Sequence, residues 1–334
     1  MHWDALPLVQ PGDPAVVRDD RPRIARGSTV RRAGATTFFE APARTAIERA
    51  PKGSGLAQRW AVNPYRGCAH ACAHCGARQL HRRLGLDAGA GFATAIVVRT
   101  GLADRLRAEL PRHDGQALAV GVTGDCYQPA EERYRLMPPV LAALRDAAAA
   151  FTLYTKSPLV LRDAALLAEA ASVGDARVGV SIAFVDDQIR RAVEPGAPPP
   201  QRRLELIAEL AERGVPVTAV MGPVLPLISD SPDQLAATVR RIAAAGAAEV
   251  HPVVLRLPPG TREWFTAWLE RAHPNLAGRY ASLYDRAGMP DPAYAERLGA
   301  EVAALARAYG VGRRTRPPAA PAAPRPRYPQ LALL

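Results

Sequence analysis

Lysine is nearly missing from this chain. Of its 43 basic residues, all but Lys52 and Lys156 are arginine. An ammonium and a guanidinium differ in shape and hydration, so a site that needs the compact cation is expected at one of these two positions. Lys52, in Pro51-Lys-Gly-Ser54, reads as a loop charge; Lys156, in Tyr154-Thr-Lys-Ser157, falls at a predicted strand end. Long apolar runs are missing too. None reaches the ~18–20 residues of a membrane helix, which excludes a helical span. The opening Met1-His-Trp-Asp-Ala-Leu-Pro7 has no basic region followed by an apolar run, so no secretory signal is read and a cytoplasmic location is expected. Cysteine is scarce, four in 334 residues, and clustered cysteines without a secretory signal point to metal rather than disulfides. Acid is missing from the C-terminus: from Arg307 onward there are six arginines and no Asp or Glu. That stretch carries more than half of the net charge of +11, leaving about +5, an ordinary value, for the rest. Charge alone is therefore weak ground for specific nucleic-acid binding, and nucleic acid stays a candidate partner only.

Three of the four cysteines crowd into Asn63-Pro-Tyr-Arg-Gly-Cys-Ala-His-Ala-Cys-Ala-His-Cys-Gly-Ala-Arg78. The spacing of Cys68, Cys72 and Cys75 is C-x3-C-x2-C. Three thiolates so close together suit three irons of a [4Fe–4S] cluster and leave the fourth iron open to a small molecule. The small residues between them let backbone amides approach the sulfides. Zinc is the competing reading, with His70, His74 or His81 as a fourth ligand; it would go with a nucleic-acid-binding protein whose basic tail grips phosphate. The triad resembles the signature of the radical S-adenosylmethionine (radical SAM) superfamily. That resemblance implies that the amine and carboxylate of S-adenosylmethionine (SAM) chelate the open iron. It also implies an electron donor such as a flavodoxin or ferredoxin.

Around the triad the chain reads as four regions: an irregular N-terminal extension over 1–58, a core over 59–258, a helical region over 259–310, and a disordered tail rich in proline and arginine over 311–334. In the core, short apolar runs alternate with helical stretches. The runs are Ile96–Arg99, Leu118–Val122, Phe151–Thr155, Val178–Ala183, Val215–Val220 and Val250–Leu255. Such alternation predicts a parallel sheet with crossover helices. About six units give an α/β fold that resembles the partial (β/α)6 TIM-like barrel of radical SAM enzymes.

Parallel barrels carry their chemistry at the carboxyl ends of strands. Asp125 follows the second run, and is read either as a partner of the SAM amine or ribose or as an Asx turn. Lys156 follows the third and suits the SAM carboxylate. Ser181 is at the end of the fourth. Met221-Gly-Pro-Val-Leu-Pro226 reads as a loop close to an adenine. Arg256 is a candidate for a substrate anion or the cofactor carboxylate. Cys126 is read either as a hydrogen-atom donor to a product radical or as a small buried apolar residue.

Several stretches, taken together and in order, are similar to the spore photoproduct lyase-like branch of the superfamily. They are Asn63-Pro-Tyr-Arg-Gly-Cys68, Tyr127-Gln-Pro-x-Glu131, Thr155-Lys-Ser157, Glu194-Pro-Gly196 and Pro223-Val-Leu-Pro226. Within that branch the chain looks closest to actinobacterial proteins of unassigned substrate. The resemblance covers residues 36–308. It implies reductive cleavage of SAM to a 5′-deoxyadenosyl radical that abstracts hydrogen, with a lyase acting on a cross-linked nucleobase as one outcome. The chain departs from the pattern at His74 and Gly76, where aromatic residues are usual, and at Gly124-Asp-Cys-Tyr-Gln128. A cluster protein without catalysis is the reading that these departures leave open.

Overall fold

The structure is a computed structural model and describes residues 28–51 and 55–311. Lys52, the first half of the N-terminal extension and the Pro/Arg-rich tail from 312 lie outside the described residues. Eleven strands occur among the described residues. They are β1 (Thr29–Ala33), β2 (Thr36–Pro42), β3 (Ile47–Arg49), β4 (Trp60–Val62), β5 (Tyr65–Arg66), β6 (Ala95–Thr100), β7 (Leu118–Val120), β8 (Phe151–Thr155), β9 (Ala176–Ser181), β10 (Val217–Val224) and β11 (Glu249–Val254).

The larger sheet has the order β11-β10-β9-β8-β7-β4-β3. Its six strands from β4 to β11 are all parallel, and β3 closes one edge antiparallel to β4. This is the expected partial barrel. Its strands form because each alternates between two environments. Along β8, Phe151, Leu153 and Thr155 are buried, while Thr152 and Tyr154 between them are half-exposed. The buried set packs on the crossover helices, in one core with Leu106, Met137, Leu141, Leu167, Ile207 and Leu210. The other set faces a cavity of about 540 Å³ inside the half-barrel. A period of two thus separates a helix-facing from a cavity-facing surface. Helices Arg262–Ala272, Ala277–Leu283 and Pro292–Ala308 follow the last strand, as the sequence led us to expect.

Three expectations are corrected. The described part of the N-terminal extension is not irregular. β1 and β2 form an antiparallel hairpin around Gly34, which has the positive φ of +56° that such tight turns require. The β-branched and aromatic run Thr36-Thr-Phe-Phe39 is the signal that the neighbouring arginines and prolines masked. Ile96–Arg99 is a strand, but it lies in a second sheet of order β1-β2-β6-β5 rather than in the barrel. Met221–Val224, read as a loop, is the end of β10, where the pairing with β11 shifts register.

Candidate metal and cofactor site

The cysteine loop runs from β5 to the short helix Arg78–Arg83, at the carboxyl side of the parallel strands. All three thiols are free; Cys68 and Cys72 are buried and Cys75 is half-buried. Burial raises all three. Cys68, with Asp125 adding to the effect, is pushed up to about 12. Cys72 is raised well above the usual thiol range by burial and then by the Glu194 carboxylate, and Cys75 is also raised by burial. Metal binding at this loop would therefore release protons.

Much of the surrounding sequence exists to hold this loop. Gln128 accepts a hydrogen bond from Ala69 N (3.1 Å) and donates to Gly67 O (3.0 Å), stapling the loop's first turn. Asn63 Oδ1 accepts from Val122 N and Thr123 N (2.8 and 3.0 Å), tying β4 to the segment after β7. Tyr65 donates to the fully buried Glu131 (2.6 Å), which Arg162 also contacts at 2.6 Å. On the other side, Ala73 N donates to Val193 O (2.8 Å) and Gly196 N to His70 O (3.1 Å). Position 196 must be glycine: a Cβ there would stand 2.2 Å from Ala69 O.

A cavity of about 150 Å³ opens beside the thiols. Cys68, Cys72, Cys75, Asp125, Lys156 and Ser181 all line it, so the structure brings together five of the sequence-nominated residues with Cys68. Lys156 Nζ donates to Ser181 Oγ (2.6 Å), which donates to Gly222 O (3.0 Å). Glu194 Oε1 lies 3.4 Å from Lys156 Nζ, and Glu194 Oε2 lies 2.5 Å from the buried Arg203. Burial pushes the Glu194 carboxyl up, but Arg203, Lys156 and the bond from His74 outweigh it and hold the group well below the usual carboxylate range. Burial works against the Lys156 ammonium as well, but Glu194, with Cys72 and Asp125 adding to it, outweighs burial, so this lysine is raised and stays charged.

Asp125 is present at the cavity wall, but its oxygens are already engaged. Oδ1 accepts from Tyr127 N (2.8 Å) and Thr155 Oγ1 (2.7 Å), and Oδ2 accepts from Lys156 N (2.7 Å). It makes the Asx turn and ties two strand ends together. Arg256 lines the larger cavity and not the smaller one. Cys126 lines neither. It is fully buried in the main core and its Sγ donates to Tyr154 O (3.5 Å), which fits the alternative reading as a small buried apolar residue.

His74 occupies the position where an aromatic ring was expected. It is buried, and its Nε2 hydrogen-bonds Glu194 at 3.0 Å. Ligand atoms of Cys72, His74 and Glu194 lie within 4.8 Å of one another. They make a poor single-ion site, because the carboxylate already faces two cations. The three cysteine sulfurs do not form such a tight trio among the described residues. Thiolates of one tetrahedral zinc, each about 2.3 Å from the ion, would; thiolates that each take a different iron of a cubane would not.

The two cavities share His74, Cys75 and Tyr154 in their walls. A small cavity beside the thiols, with Lys156, Ser181 and Asp125 among its lining, therefore adjoins a chamber whose volume suits a small-molecule site.

Fold and site together define a partial (β/α)6 barrel with a thiol-rich cofactor loop at its strand ends. Comparison with known proteins agrees. The radical SAM superfamily pattern matches residues 62–242, more than half of the chain. An uncharacterised protein of Mycobacterium tuberculosis is 41% identical over 283 residues, covering 84% of this chain and 83% of its own. An uncharacterised protein of Methanocaldococcus jannaschii is 27% identical over 172 residues, 52% of this chain and 62% of its own. Among solved structures, a spore photoproduct lyase variant with bound AdoMet and dinucleoside spore photoproduct has a TM-score of 0.62 at 14% identity, over 82% of this chain and 80% of that one. The chain belongs to the radical SAM superfamily. The cofactors of that family are a [4Fe–4S] cluster and SAM, and its members are enzymes that need an electron donor. No described helix is long and apolar enough to cross a membrane.

Two groups in this site escaped the sequence reading. Arg78 and Arg203 are fully buried beside the loop, and nothing in an arginine-rich chain singles them out. Glu194 was visible only as part of a motif, without a role.

Proposed function

We propose that this protein holds a [4Fe–4S] cluster on Cys68, Cys72 and Cys75 and uses it with SAM to start a radical reaction on a substrate in the 540 Å³ cavity. One observation carries the reading: three free thiols and the half-buried Lys156–Ser181 pair line one small cavity that adjoins a larger one. When bound, the cluster supplies one electron that splits SAM into methionine and a radical that abstracts hydrogen. The chain's own residues bind and orient. Lys156, kept charged by Glu194, faces the carboxylate of the methionyl group. Ser181 fixes the ammonium, because its own hydroxyl hydrogen is spent on Gly222 O and only its lone pair is turned to Lys156. The loop-holding bonds from Gln128 and Gly196 set the position of the thiols. Tyr154, Thr152, Val220 and Val253 are among the cavity walls that would bound the substrate.

A carbon–carbon lyase acting on a nucleobase is the finer reading. The support for it is the fold shared with spore photoproduct lyase and a cavity large enough for a base-sized molecule. A ferredoxin or flavodoxin is the expected reductant. The test is anaerobic reconstitution with iron and sulfide followed by an assay for 5′-deoxyadenosine, with Cys72→Ala alongside. The wild type should turn brown and yield 5′-deoxyadenosine, and the variant should do neither. A colourless wild-type preparation would overturn the proposal.

A further inference from the structure

We infer that Arg78 is a positioning residue for the cluster: a buried cation without a carboxylate partner that grips the cysteine loop by its carbonyls and offsets the charge of metal-bound thiolates. This rests on the cluster reading given above.

Arg78 follows Cys75-Gly-Ala and opens the helix Arg78–Arg83, so its side chain folds back beneath the loop that precedes it. It is 1% exposed. Its Nε and one terminal nitrogen donate to Cys72 O (3.2 and 3.0 Å), and that nitrogen also reaches Ala71 O (3.3 Å). The other terminal nitrogen donates to Ala88 O (2.7 Å) and Gly89 O (2.6 Å). The guanidinium lies between two rings, 4.7 Å from the centroid of Phe92 and 4.5 Å from that of Trp264.

Every one of these partners is neutral. No carboxylate pairs with Arg78 among the described residues. Asp87, the acid that acts on it most, is exposed, and its oxygens are spent on Gly89 N and Gly91 N. The other cations of the site, the half-buried Lys156 and the buried Arg203, share Glu194. Arginine does not shed its proton on burial, and a buried charge without a counter-charge is costly. The groups beside it able to supply that counter-charge are the cysteines of the loop it grips, as thiolates bound to metal. A fixed cation so placed favours the more negative, reduced state of the cluster.

The experiment uses the full chain, reconstituted anaerobically, as wild type, Arg78→Lys and Arg78→Met. It reads iron content, thermal melting, and the cluster's midpoint potential by electron paramagnetic resonance titration. Arg78→Met should bind cluster with an equilibrium constant for one-electron reduction about tenfold lower, about 59 mV more negative. Arg78→Lys keeps the charge and should stay near wild type in potential even if its melting point falls. Equal midpoints in wild type and Arg78→Met overturn the inference and leave the cluster proposal standing; a wild type that takes no cluster sinks both. Should Arg78→Met fail to fold, Trp264→Glu sets a carboxylate against the same guanidinium without removing the loop's anchor. It must then lower the midpoint in the same way, and an unchanged value there overturns the inference.

Discussion

Removing the carboxylate of Glu194 is the most demanding test of how this site is built. Glu194 is fully buried and sits against three partners: Arg203 at 2.5 Å, His74 at 3.0 Å and Lys156 at 3.4 Å. Arg203 is itself only 1% exposed, whereas the Lys156 side chain keeps 14% of its surface. The Arg203 contact therefore dominates, and Glu194→Ala leaves a buried guanidinium without its anion. Deleting one member of a buried pair costs about 3–5 kcal/mol, a large part of the ~5–15 kcal/mol that holds a typical domain together. With roughly 2–4 °C per kcal/mol for a domain of this order of size, the melting point should fall by about 6–20 °C. Glu194→Gln keeps the shape and one acceptor, and should lose about 1.5–3 kcal/mol, the worth of a charge-assisted hydrogen bond. The assay is urea and thermal unfolding of both variants, with Lys156→Met and the double variant Glu194→Ala/Lys156→Met completing a cycle. Lys156→Met should be milder than Glu194→Ala, and the double variant less unstable than the sum of the two. A loss below about 1 kcal/mol in Glu194→Ala would show that the buried charges are not the clamp described here.

Four further outcomes are expected. Gly196→Ala drives a methyl group into Ala69 O, so it should destabilise by about 1–3 kcal/mol and lower iron uptake, read by melting and by iron analysis. Cys126→Ala should keep cluster content and SAM cleavage unchanged while costing about 1 kcal/mol for the buried atom lost; loss of cleavage with normal iron content would restore it as a chemical group. Gly76→Phe meets open space, so it should fold and bind cluster normally while narrowing the larger cavity, measured as unchanged melting with weakened binding of bulky cavity ligands. Asp87 is held below its usual range by hydrogen bonds from Gly91 N and Gly89 N. Its contribution is thus fully present above the ordinary carboxylate range and lost as pH falls through the lowered value. Asp87→Ala should cost about 1 kcal/mol at neutral pH for the two backbone hydrogen bonds lost, and progressively less as the pH falls through that lowered value.

The barrel was legible because its signal is local. Five of its six parallel strands lie in runs of five or six mostly apolar residues, long enough to declare a strand and short enough to exclude a helix, and the alternation with helices fixes parallel pairing; the sixth, β4, is only three residues and gave no run of its own. β1 and β2 were not legible for the opposite reason: their alternation is diluted by Arg31, Arg32 and Pro42, and their stability comes from pairing with β6, a contact that no local pattern encodes. The thiols declared themselves by spacing, and Lys156 by its rarity. Asp125 and Cys126 show the limit of position-based reasoning. Both follow the carboxyl end of β7, yet Asp125 spends its oxygens on backbone and Thr155, and Cys126 turns into the core. Arg78 and Arg203 gave no signal, because a buried arginine differs from an exposed one only in what folds over it.

The two departures from the family pattern have opposite physical consequences, and together they bear on whether the site is intact. His74 replaces an aromatic ring with another ring of similar breadth, and gains a bond to Glu194 that an all-carbon ring lacks. Since Glu194 also fixes Lys156 and Arg203, this histidine joins the loop to the cation that faces the cofactor seat. The substitution therefore strengthens the link between the thiol loop and the smaller cavity instead of weakening it. Gly76 acts the other way. It is exposed at the wall of the larger cavity with nothing within 4 Å of where its Cβ would be. An aromatic side chain there would stand in the chamber next to Cys75. Its absence leaves the cofactor seat untouched and enlarges the room for substrate. On the proposed function, the change at His74 keeps the thiol loop bonded to Glu194, while the change at Gly76 falls on the wall of the larger cavity. The two departures thus bear on the proposed substrate chamber more than on the proposed cofactor seat.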